Sequence, residues 1–158
     1  MKAKFDLTQL QNVSEIDVVY RKKVRAKMSD RPTIIRPSDC YNAFLHYWNP
    51  DTIELVEEFK VLYLNQSNRL LYAYNASMGG ITATVADPRI ILAIALKVAS
   101  SKIVLGHNHP SGNLKPSKSD IALTLKLKVA ASYHDIEILD HIIVTSEKFL
   151  SFASEGLL

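Results

Sequence analysis

Two apolar runs of strand length, 59–64 and 69–76, flank the polar stretch Asn65-Gln66-Ser67-Asn68, and this spacing predicts a β-hairpin. Upstream, Pro37 and Ser38 open a segment in which Tyr41, Phe44, Leu45 and Trp48 recur at helical spacing. Asn49-Pro50 stops it, which predicts a helix of about ten residues. Asp87 and Pro88 form a cap and first-turn pair for a second helix reaching about Ser100. Its Ile90, Ile91, Ile94, Ala95 and Val98 are apolar on more than one side, so it is expected to be largely buried. Ile103-Val104-Leu105 reads as a buried strand ending at His107, a third helix spans 118–133, and strands follow at 137–145 and 148–152. This order predicts an α/β (α+β) sandwich, with helices against a mixed or mainly antiparallel sheet. Gly79-Gly80 permits a sharp bend.

Residues 1–36 are read as an N-terminal extension to a domain of 37–158. Ile16, Val18 and Tyr20 alternate with Asp17 and Val19, predicting a strand that adds an edge to the sheet or pairs with a second subunit in a homo-oligomer.

The chemistry concentrates in His107-Asn108-His109-Pro110-Ser111-Gly112 and the following Ser117 and Asp120. Residues i and i+2 of an extended chain point to one face, so His107 and His109 can reach one metal. Asp120 falls in the first turn of the third helix, where its carboxylate completes a His-His-Asp set. Three nitrogen and oxygen ligands leave a fourth tetrahedral position for water, the arrangement of catalytic zinc. Each part also has an ordinary reading. Ser117-x-x-Asp120 is a helix-capping pattern, His-x-His alone is weak, and Asn108, Pro110, Ser111 and Gly112 suit a turn. The conjunction favours the metal.

H-x-H, seven residues, then S-x-x-D resembles the metal signature of the JAMM (MPN+) metalloproteases, and HNHPSG with the PS-x-x-D-x-x-LT pattern is similar to their RadC branch. Gly79-Gly80, Asp87-Pro88-Arg89, Leu139-Asp140-His141-Ile142-Ile143 and Ser151-Phe152-Ala153-Ser154-Glu155-Gly156 carry the likeness from about Pro37 to Leu158. The resemblance implies an MPN/JAB-type fold with a cytidine-deaminase-like layout. It also implies one zinc per chain on His107, His109 and Asp120, and cleavage of a peptide or isopeptide amide in a peptide or protein substrate. The family's general base, a glutamate that activates the metal-bound water, falls on Glu57 of Glu57-Glu58-Phe59-Lys60-Val61-Leu62, with the neighbouring Glu58 as the alternative. Strand alternation lets only one of the two look into the site. Ser117 is implied as the donor to the developing oxyanion. Many RadC relatives carry a glutamate after the Pro-Arg pair, but Ile90 stands there in this chain.

At 158 residues, 47% hydrophobic and 22% charged, the chain is sized for one globular domain with a proper core. It has no apolar stretch of membrane-spanning length and no signal-peptide core after its first methionine, so a cytoplasmic protein without membrane contact is expected. The lone cysteine, Cys40, is read as a core or helix residue in a reducing compartment. The absent P-C-x-x-C pair excludes a cytidine-deaminase zinc site. Neither a Walker loop nor a dinucleotide fingerprint is present. A phosphoesterase or nuclease is disfavoured because such sites commonly pair two metals. Arg21, Lys22, Lys23, Arg25 and Lys27, with a net charge of +3, make a nucleic-acid-associated or scaffold module the second reading. Among the other histidines, His141 is read as a satisfied core residue, with a hydrogen bond near the metal loop as the alternative. His46 is read as packing and His134 as a helix C-terminal cation.

Overall fold

A computed structural model describes residues 26–79 and 86–158. The elements run α1 (Pro37–Tyr47), β1 (Glu58–Leu64), β2 (Leu70–Met78), α2 (Pro88–Lys97), β3 (Lys102–Asn108), α3 (Lys118–Ser132), β4 (Glu137–Val144) and β5 (Phe149–Ser151). The expected strand near Ile16, the bend at Gly80 and the basic residues Arg21 to Arg25 lie outside the described residues.

The five strands form one sheet in the order β2-β1-β3-β4-β5. Only β3 and β4 are parallel, joined by α3 as the crossover, so the sheet is mixed. Alternation along the strands builds two cores. One face carries Phe59, Val61, Tyr63, Ile103 and Leu105 against Ile91 and Ala95 of α2 and Leu127 and Ala131 of α3. The opposite face carries Leu62, Leu64, Val104, Ile142 and Val144 against Cys40 and Phe44 of α1 and against Trp48. The result is a three-layer α+β sandwich.

Close approach of α1 depends on Gly106, because a Cβ there would come within 2.5 Å of the Phe44 ring. The hairpin turn forms as expected, with Asn65 Oδ1 accepting from the amides of Ser67 and Arg69 and Asn68 at φ +57°. α2 differs from expectation in two respects. α2 ends at Lys97 rather than near Ser100, because Ala99 adopts φ +52° and turns the chain toward β3. This helix is also less enclosed than its composition suggests, since Ile90 and Leu96 are about half exposed while Ile91, Leu92 and Ala95 face the core. The described part of the extension docks on the hairpin through a single bridge, Thr33 to Arg69, and through Arg31 Nη1 donating to Leu71 C=O at 2.6 Å.

Among the described residues, no helix is long and apolar enough to cross a membrane. Cys40 is buried on α1 as expected, and its thiol is pushed up to about 12 by burial and by the nearby Asp140 and Asp39 charges.

Candidate metal centre

β3 delivers His107 to the α2/α3 face of the sheet, and the strand ends one residue later. The ladder toward β4 continues through the His109 amide, which donates to Val144 C=O at 3.1 Å. The chain then turns over Pro110 and Ser111, closed by Gly112 N–H donating to His109 C=O at 3.0 Å, with Gly112 at φ +72°. This turn carries the Asn113 carbonyl back to His109, whose Nδ1–H donates to it at 2.5 Å. The ring is thereby left with Nε2 as its free nitrogen.

The other half of the centre is the first turn of α3. Ser117 is the N-cap: its Oγ accepts from the Asp120 amide at 3.1 Å, and its own amide donates to Asp120 Oδ2 at 2.7 Å. The capping box thus aims the carboxylate as well as closing the helix. Asp120 Oδ2 stands 3.5 Å from His107 Nε2 and 3.8 Å from His109 Nε2, while the two imidazole nitrogens are 2.9 Å apart.

Four ligands at about 2.0–2.1 Å in a tetrahedron stand about 3.3 Å from one another, and the three observed separations bracket that value. Two imidazoles and a carboxylate are also zinc's usual donor types, so the residues present fit one such ion. His107 is buried, whereas the His109 and Asp120 side chains are each 16% exposed, so the cluster opens toward solvent on one side. An open cleft of about 340 Å³ adjoins His109 and reaches Glu54 and Glu147. Burial opposes the charge on Asp120, but the adjoining His107 ring and the bonds from Ser117 outweigh it and hold the carboxyl well below the usual range.

Both glutamates at the start of β1 have distinct surroundings. Glu58 pairs with Met78 of β2 and is buried, its Oε2 2.6 Å from Lys60 Nζ, which lies over the Trp48 ring. That is the α1 side. Glu57 lies just before β1, half-buried, with its carbonyl accepting from Gly79 N–H at 2.8 Å. Ser117 Oγ is exposed and 2.8 Å from Ser119 Oγ, which can supply the proton of that contact and leave the Ser117 proton available.

Asn108, His141, Phe59 and Phe152 do more than the sequence suggested. Asn108 is not a turn residue but the last residue of β3, fully buried. Its Oδ1 accepts from the Glu58 amide at 2.7 Å, and its Nδ2 donates to the carbonyls of Ile53 at 2.6 Å and Val56 at 2.8 Å. His141 is buried as a core residue, yet its Nε2 lies 2.8 Å from His107 Nδ1 and its Nδ1 2.6 Å from Thr124 Oγ1. It reaches this position through a β-bulge: Ile103 pairs with Ile138 but Val104 pairs with Asp140, so the skipped Leu139 reverses the alternation and turns His141 toward the Leu105 face. Burial, reinforced by the charge of His107, pushes His141 well below the usual imidazole range and keeps it neutral. Phe59 stacks parallel to His107 and meets His141 edge-on, and Phe152 covers the other side of His141. His46 does not pack into the core; it is exposed on α1 beside Tyr47. His134 is exposed just beyond α3.

The model of the family described as RadC-like JAB domain matches residues 34–157. The chain is 44% identical over 101 residues to a UPF0758 protein of Flavobacterium johnsoniae, covering 64% of this chain and 44% of that one. It is 33% identical over 136 residues to a UPF0758 protein of Bacillus cereus, covering 86% of this chain and 59% of the relative. To the UPF0758 protein YeeS of Escherichia coli it is 43% identical over 102 residues, covering 65% and 69% respectively. The chain thus spans about half the length of most of these relatives.

Proposed function

The chain belongs to the RadC-like JAB domain family, and from that premise we propose that it is a zinc-dependent hydrolase that cleaves a peptide or isopeptide amide. The observation that carries the reading is the convergence of His107 Nε2, His109 Nε2 and Asp120 Oδ2 at mutual distances suited to one tetrahedral ion, on a cluster open to solvent. Zinc, when bound there, polarises a carbonyl and brings the pKa of water to about 7.

The chain's own groups have the following work. His107, His109 and Asp120 hold the ion. Glu57 takes a proton from the attacking water on its carboxylate and returns it to the amine as the C–N bond breaks. Glu58 is tied to Lys60 on the α1 face, opposite the Phe59 ring that stacks against His107, and this disfavours Glu58 and supports Glu57 as the base. Asn108 anchors the residues that lead into Glu57. The Ser117 hydroxyl donates to the oxyanion that develops on the scissile carbonyl. The cleft that adjoins His109 and reaches Glu54 is where an extended chain would lie beside the centre.

The test is elemental analysis of protein purified without chelator or added metal, wild type beside His107→Ala and Asp120→Ala, followed by a screen of peptide and isopeptide substrates. About one zinc per chain, lost in both variants, and turnover lowered at least about 100-fold in Glu57→Gln are the expected results. Folded protein free of metal in all three preparations would overturn the reading in favour of an interaction module.

A further inference from the structure

We propose that Thr124 and His141 are positioning residues that hold the ring proton of His107 on Nδ1 and so leave its Nε2 lone pair free for a metal. Three hydrogen bonds in series begin at a group with no choice. The backbone carbonyl of Asp120 can only accept. Thr124, one turn later on α3, sits with Oγ1 2.6 Å from it and must spend its single proton there.

Thr124 Oγ1 therefore meets His141 Nδ1, at 2.6 Å, as an acceptor, and His141 Nδ1 is the donor. A neutral imidazole has one ring proton, so Nε2 of this fully buried ring is bare. Facing it at 2.8 Å is His107 Nδ1, which must donate. The proton of His107 is then accounted for, and the nitrogen that points at His109 and Asp120 is the unprotonated one. The opposite tautomers would put a proton on His107 Nε2, 2.9 Å from His109 Nε2, and would leave two acceptors facing each other at Thr124 unless its hydroxyl abandoned the Asp120 carbonyl; in the assigned tautomers the facing pair is His107 Nε2 and His109 Nε2, whose lone pairs converge where a cation would sit.

Asp120 thus serves the centre twice, through its carboxylate as a ligand and through its carbonyl as the end that orients the chain. Phe59 and Phe152 flank His141 and hold its ring in the plane of these contacts. Ligating histidines are commonly held through their second nitrogen, and losing that partner weakens metal binding about 10–100-fold.

The consequence for metal affinity rests on the zinc reading above, but the tautomers do not, and the experiment separates the two. Long-range proton–nitrogen NMR spectra of the full, metal-free, ¹⁵N-labelled chain report which ring nitrogen of each histidine carries the proton. Zinc affinity is measured in parallel by competition with a chromophoric chelator. In wild type and Thr124→Ser, His107 and His141 should both be protonated on Nδ1. In Thr124→Val and His141→Leu, His107 should populate both tautomers and bind zinc about 10–100-fold more weakly, with the far-ultraviolet circular dichroism unchanged. At a pH where the imidazoles are neutral, protonation of His107 on Nε2 in the wild type overturns the proposal, whether or not the variants fold. So does an unaltered His107 tautomer in folded Thr124→Val. A wild type that takes up no zinc sinks the metal reading alone, and the spectra still decide the tautomers.

Discussion

Asn108 Oδ1 and the amide of Glu58 lie 2.7 Å apart across a sequence gap of 50 residues, and this bond ties the strand that bears the histidines to the segment that bears the candidate base. The same side chain holds the Ile53 and Val56 carbonyls. Asn108→Ala would orphan three buried or partly buried backbone groups, each worth about 1–3 kcal/mol when left unpaired. A loss of roughly 3 kcal/mol is expected after partial rescue by water. Urea unfolding monitored by Trp48 fluorescence checks it, and a midpoint equal to the wild type would remove Asn108 from the structural account.

Gly106→Ala should destabilise through the Phe44 ring, which sits where the new methyl would go. Overpacking of this kind costs about 1–3 kcal/mol. Phe44→Leu should relieve part of the clash, so the double variant is expected to lose less than the sum of the singles. Strict additivity in thermal unfolding would show that α1 does not bear on Gly106 as described.

Acid should weaken the fold through its helix caps. Asp39 accepts from the amides of Ile35 and Arg36, and Asp87 is bonded by the side chain and amide of Arg89; these contacts hold both carboxyls below the ordinary value of 3.8. A carboxyl with a depressed pKa in the folded state contributes stability that is complete above its unfolded value and is lost as pH falls through its folded one. Stability of Asp39→Asn should therefore be lower than that of the wild type at neutral pH, and the difference should shrink as pH is taken below about 4. A gap that stays constant from pH 7 to pH 2 would contradict this role.

Cys40 should resist thiol reagents in the folded protein. It is buried on α1, and its thiol is pushed up to about 12, so the reactive thiolate is scarce at neutral pH. Reaction with a disulfide reagent should be slow in buffer and fast in denaturant; equal rates in both would contradict the packing of α1.

Much of this arrangement was legible because the relevant signals are local. Asp87-Pro88 and Ser117-x-x-Asp120 are capping patterns, and both helices begin there. Ile103-Val104-Leu105 places His107 on a strand end by length and polarity alone. Other features depend on partners distant in sequence. Asn108 lies in a proline- and glycine-rich stretch, and its clamp on Ile53, Val56 and Glu58 exists only once β1 and β3 pair. The end of α2 lacks a glycine; Ala99 takes the left-handed conformation instead, leaving no residue type to mark it. His141 stands in an otherwise apolar strand and so reads as a core residue; even alternation from Ile138 would send it to the α1 side, and an irregularity in pairing leaves no trace in composition.

That irregularity makes the centre sensitive to residue number as well as residue identity. Removing one residue from the stretch 138–140 would restore even pairing with β3 and rotate His141 to the opposite surface of the sheet, while leaving His107, His109, Ser117 and Asp120 untouched. A relative can therefore keep every letter of the metal signature and still lose the buried partner of its first ligand. When such chains are compared, the spacing from Ile138 to His141 should be counted with the same care as the signature itself.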